Sequence, residues 1–106
     1  MKKHALKNFT NGWFMGRFNP SLFSTDIFEV AVKYYKMGEV DPAHLHKVSR
    51  EFTVVISGSI QMNDQYFSEG DIIEVAQDEV IEFLAVTDAT LVIVKVPSIP
   101  GDKYYK

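Results

Sequence analysis

Punctuation decides what this chain can fold into. Its apolar residues come in brief runs: residues 28–35 (FEVAVKYY), 52–56 (FTVVI), 60–62, 65–67, 72–75, 80–86 and 91–96. Each is bounded by turn residues, and none has the length or the 3.6-residue period of a helix. Short β-branched and aromatic strands at spacings of about 8–12 residues mark an all-β sandwich or barrel. Residues 36–42 turn on Gly38 and Asp41-Pro42, and Ser57-Gly58-Ser59 turns the next strand. Asn63-Asp64 reads as a two-residue hairpin loop, and residues 87–90 join runs 80–86 and 91–96 as a last hairpin. The unbroken run 52–56 reads as a strand buried on both faces.

A chain of 106 residues closes one hydrophobic core, so one domain is expected. Its parts are an N-terminal arm over 1–27, a barrel over 28–96 and a C-terminal tail over 97–106. Fourteen acidic against 11 basic residues give a net charge of −3, which argues against a nucleic-acid partner. The absence of cysteine excludes disulfides, thiolate metal sites and cysteine nucleophiles. The two lysines near the start precede no apolar segment, and no 18-residue apolar run occurs, so a cytoplasmic protein with no membrane partner is expected. Residues 64–82 hold seven acidic side chains and no lysine or arginine, a pattern that fits solvated turns.

Residues 38–58, GEVDPAHLHKVSREFTVVISG, carry the chemistry. On a strand, side chains at i and i+2 share a face, so His44 and His46 look into one cavity. Two imidazoles and the carboxylate of Glu51 are a donor set for a divalent metal with open positions. The odd step from His46 to Glu51 reverses the face unless the strand bulges or bends over residues 47–50. The spacing G-x5-H-x-H-x4-E-x6-G, met by Gly38, His44, His46, Glu51 and Gly58, resembles the first motif of the cupin family at every position. That resemblance implies a small single-domain cupin, a double-stranded antiparallel β-barrel of the jelly-roll kind. It makes His44, His46 and Glu51 metal ligands, for zinc, iron, manganese, nickel or copper.

The family's second motif, G-x5-P-x-G-x2-H-x3-N, is degenerate. Anchored on Gly70, it places Ala76, Asp78, Ile81 and Ala85 where proline, glycine, histidine and asparagine belong. Without an imidazole at Ile81 three ligands remain, unless Glu79 or Glu82 substitutes. Strand alternation turns Glu82 away from the cavity.

Three functions fit. The first is a small-molecule-binding cupin, metal-dependent and acting on sugars or nucleotide sugars as an isomerase or epimerase; the general look of FEVAVKYY and of the VKVPSIPGDKYY tail resembles such proteins. The second is an oxygenase built on a His-His-Glu facial triad. The third is a non-catalytic barrel with a vestigial site in which Ile81 closes an apolar pocket. Further candidate lining residues are Tyr34, Tyr35, Gln61 and Tyr66. Trp13 and Arg17 are candidates for a pocket mouth, the indole stacking on a sugar ring and the guanidinium meeting a phosphate. The aromatic arm, with Trp13, Phe14, Phe18 and Phe23, needs cover, and a homodimer supplies it.

Overall fold

The computed structural model describes residues 1–106 as two five-stranded antiparallel sheets facing each other. Strands β1 (Trp13–Met15), β2 (Glu29–Tyr35), β9 (Ala89–Val96), β4 (Arg50–Ser57) and β7 (Ile72–Val75) form the first sheet, in the order β1-β2-β9-β4-β7. Strands β10 (Tyr104–Tyr105), β3 (Val40–Leu45), β8 (Ile81–Ala85), β5 (Ser59–Met62) and β6 (Gln65–Ser68) form the second, in the order β10-β3-β8-β5-β6. The only helical elements are two single 3-10 turns, Leu6–Asn8 and Thr10–Gly12.

Period-two burial assigns the faces. On β9, Ala89, Leu91 and Ile93 are buried while Thr90, Val92 and Val94 are half-buried on the outside. On β4, Thr53 and Val55 point inward and Phe52, Val54 and Ile56 outward. Residues 52–56 are therefore not buried on both faces as expected: Ile56 is 47% exposed, because β4 has a sheet facing it on one side only. Ile60, Met62, Ile81, Phe83 and Ala85 of the second sheet meet Val55, Val75, Leu91 and Ile93 of the first in one core.

One connection differs from expectation and another supplies the expected bend. Strands β8 and β9 follow one another in sequence but pair in different sheets, so the segment after Ala85 is a sheet-to-sheet crossing and not a hairpin. Residues 46–49 likewise turn a corner from β3 in the second sheet to β4 in the first, and the β-bulge lies earlier, between Asp41 and His44. The Asn63-Asp64 hairpin forms as read, with Asn63 at φ 54°. Gly58 links β4 to β5 at φ +85°, where a Cβ would stand 2.1 Å from the Asp88 carbonyl oxygen. Only glycine meets both demands. The arm contributes β1, paired with β2, and the tail contributes β10, paired with β3. The acidic side chains of residues 64–82 are exposed. No helix is long and apolar enough to cross a membrane.

Candidate functional site

His44 and His46 enter the cavity from β3 and the residue just beyond it, buried at 7% and 4% exposure, with ring centres 5.5 Å apart. Glu51 reaches the same space from β4 on the opposite sheet. The corner at residues 46–49 removes the parity problem: the two sheets face each other, so an odd step across the corner brings imidazole and carboxylate together.

Each imidazole is held by its Nδ1. His44 Nδ1 donates to the Pro42 carbonyl at 2.8 Å and His46 Nδ1 to the Asp102 carbonyl at 2.5 Å. A carbonyl only accepts, so each Nδ1 carries a proton and each Nε2 is the ring atom turned away from the backbone. His46 Nε2 is buried without a hydrogen-bond partner and stands 3.5 Å from Glu51 Oε1. Burial pushes the Glu51 carboxyl up, but the neighbouring His46, then the charges of Lys95 and His44, outweigh it and hold it below the ordinary carboxylate value. Thr53 Oγ1 donates to its other oxygen at 3.3 Å. Ligands at about 2.0–2.2 Å on a four- or six-coordinate ion stand roughly 3–3.5 Å apart, so His46 and Glu51 have both the donor chemistry and the separation for a divalent metal. His44 lies beside His46, but His44, His46 and Glu51 do not stand close enough to form a three-residue metal-holding cluster.

Asp102 was not legible as a site residue. Besides orienting His46, it uses its carboxylate to accept from the backbone amides of Lys47 (3.0 Å), Val48 (3.1 Å) and Ser49 (2.8 Å). It thereby pins the corner that carries the site.

Solved structures share this arrangement of sheets. An uncharacterized conserved protein with a double-stranded beta-helix domain from Klebsiella pneumoniae has a TM-score of 0.70 at 20% identity, over 76% of this chain and 71% of its own. This chain has the cupin fold. KdgF from Halomonas sp. has a TM-score of 0.66 at 16% identity, over 71% of this chain and 74% of its own length. A sugar phosphate isomerase from a cupin superfamily from Silicibacter pomeroyi has a TM-score of 0.66 at 22% identity, over 76% of this chain and 57% of its own length. No protein-family model and no curated protein matches the sequence.

The segment aligned with the second motif has a left-handed residue at the glycine position and no imidazole. Asp78, at the glycine position, adopts φ 65° and donates its amide to the His46 carbonyl at 2.7 Å. Ile81 pairs directly with His44 and is 7% exposed on the inner face. Neither glutamate replaces the missing imidazole: Glu79 Oε1 accepts from the Ala76 amide in its own turn, and Glu82 is exposed on the outer face of β8. Of the other lining candidates, Tyr35 lies inward against Phe83 with ring centres 4.5 Å apart. Tyr34 (71% exposed), Tyr66 (69% exposed) and Gln61 lie on outer faces, because alternation gives the inner positions to Tyr35, Ile60 and Met62. Arg17 is exposed beside a small cleft, and Trp13 faces inward.

Proposed function

We propose that this cupin binds a small molecule in its barrel, holds a divalent metal through His44, His46 and Glu51, and acts on a sugar or nucleotide sugar as an isomerase or epimerase. The metal reading is carried by one observation: the buried His46 Nε2, without a hydrogen-bond partner, faces the Glu51 carboxylate at 3.5 Å. An unprotonated Nε2 and a carboxylate in that relation are unfavourable unless a cation or a proton joins them. When bound, such an ion supplies a Lewis acid for a carbonyl or diol oxygen.

The chain's own groups do the rest. The Pro42 and Asp102 carbonyls fix the imidazole tautomers, and Thr53 orients Glu51. Burial first, then the charges of Asp41, Glu51 and Glu39, push the Tyr35 phenol up to about 12, so it stays a hydrogen-bond donor at neutral pH. Burial first, then the charges of Lys103 and Lys95, lower Lys33. The sugar reading draws support from the fold neighbour named as a sugar phosphate isomerase. Ile56 and Ile72, 47% and 68% exposed on the outer face of the first sheet, support pairing of two copies there.

A second reading, a metal-free binding barrel, is favoured by Ile81 beside His44. Elemental analysis of protein purified without chelator or affinity nickel separates the two. About one ion per chain, lost in the His44→Ala, His46→Ala double variant, is expected, and iron with substrate-dependent oxygen uptake would convert the assignment to an oxygenase. No metal, and no uptake of zinc, iron, manganese or nickel, would leave the binding barrel.

A further inference from the structure

We infer that two copies of this chain pair through the outer face of the first sheet, about a two-fold axis that runs along β9, so that the N-terminal arm of each copy lies against the acidic β7 edge of the other. The inference rests on the pairing of copies proposed above and adds its geometry; it is independent of the metal.

That face is almost wholly apolar. Alternation turns Val30, Val32 and Tyr34 outward on β2, Val92 and Val94 on β9, and Phe52, Val54 and Ile56 on β4. Cross-strand pairing lines them up. Val32, Val92, Val54 and Ile72 form one row across four strands, and Val30, Val94 and Phe52 form the next, which ends on Glu74. Tyr34, Ile56 and Ile72 stand exposed, and the polar side chains on this side of the four strands are Thr90 and the ion pair of Arg50 with Glu74. The eight-residue strands β4 and β9 are each roughly 26 Å long and five strands span about 20 Å, which gives a flat area of about 500 Å² before side-chain relief. The arm and the turns beside β7 extend it toward the ~800 Å² per partner of a standard stable interface.

Charge selects the orientation. Residues 1–25 carry Lys2, Lys3, Lys7 and Arg17 and no acid, and none of the four is in an ion pair. This arm lies at the β1 and β2 edge, where Lys7 shares a cleft with Val32 and Tyr34. The opposite edge is β7, with Glu69 and Asp71 before it and Asp78 and Glu79 after it, all exposed and with no lysine or arginine in residues 64–82. Two aligned sheets that face each other about a two-fold have the axis either along the strands or across them. An axis across the strands stacks arm on arm and acid on acid. An axis along β9 sets each basic arm over the other copy's acidic edge, twice by symmetry. It also brings Val92 beside the partner's Val92 and Tyr34 over the partner's Ile56. Apolar burial supplies the affinity, and the edge charges supply the orientation.

The chain has no cysteine, so introduced thiols report on this geometry without background. In chelator-washed protein, sedimentation should show a dimer at ~100 μM. Mild oxidation should link Val92→Cys or Val94→Cys to its own copy, whereas Tyr34→Cys and Ile56→Cys should link when mixed and not alone. Lys3→Glu with Lys7→Glu should weaken association about tenfold, and Lys106→Glu, on the second sheet, should leave it unchanged. Thermal melts identify any variant that fails to fold, and the second β9 position then replaces the first. The inference is overturned by a monomer, by a dimer that neither β9 thiol links, by linkage of Tyr34→Cys to itself, or by arm reversals that leave association unchanged. A monomer removes the pairing of copies altogether, a dimer linked elsewhere removes only this arrangement, and neither outcome bears on the metal.

Discussion

The paired inner faces of β4 and β9 change character along their length. At one end Val55 faces Leu91, both essentially sealed from solvent; further along the same faces Glu51 meets Lys95. The first end is closed from the second sheet by Ile60, Met62 and Phe83, and the other by His44, His46 and the tail. Apolar burial is non-directional and holds the barrel shut. The polar end depends on a few aimed hydrogen bonds, and it retains one buried ring nitrogen, His46 Nε2, without a hydrogen-bond partner. Stability and chemistry are thus divided between two ends of one cavity.

Substitutions test that division. Leu91→Ala, at 1% exposure, should cost about 2–5 kcal/mol and lower the denaturation midpoint, with metal content per folded chain unchanged. Asp102→Ala should cost less, about 1.5–3 kcal/mol, because water reaches the amides of exposed Lys47 and Val48. It should also loosen His46, visible as weaker metal uptake. Burial pushes the Asp102 carboxyl up, but the amides of Ser49, Val48 and Lys47 outweigh it and hold it below the ordinary 3.8. A carboxylate depressed by folding stabilises above its ordinary value and loses that contribution as pH falls through the depressed one. Midpoints of wild type and Asp102→Asn should therefore differ at neutral pH and converge in strong acid. Glu51→Gln should have the smallest effect on stability, within about 1 kcal/mol, while abolishing metal uptake. A large loss of stability from Glu51→Gln, or of metal from Leu91→Ala, would break the comparison.

Much of this was legible in the sequence, for definable reasons. Alternation and turn residues announce strands, and the G-H-H-E-G spacing points to the cupin fold that the solved structures share. Parity demanded a bulge or a bend over residues 47–50, and the chain meets it with a corner at residues 46–49 that carries Glu51 into the other sheet, a change of sheet that parity alone does not specify. Strands β8 and β9 were joined as a hairpin for the same reason, since adjacency in sequence does not specify a partner. Tyr34 and Tyr35 cannot both face inward on one strand, and Tyr34 is the one outside. Asp102 carried no signal at all. Its partners are backbone amides, which have no sequence signature, 53 to 55 residues away.

That separation has a consequence for the order in which the molecule is assembled. The bond from His46 Nδ1 to the Asp102 carbonyl spans 56 residues, and the same aspartate ties down the corner leading to Glu51. Closing so long a loop is entropically unfavourable until the strands between are paired. His46 Nε2 is therefore aimed at Glu51 only after the barrel has closed, so a metal held there as proposed would be a late arrival to a finished shell and not a template around which the shell is built.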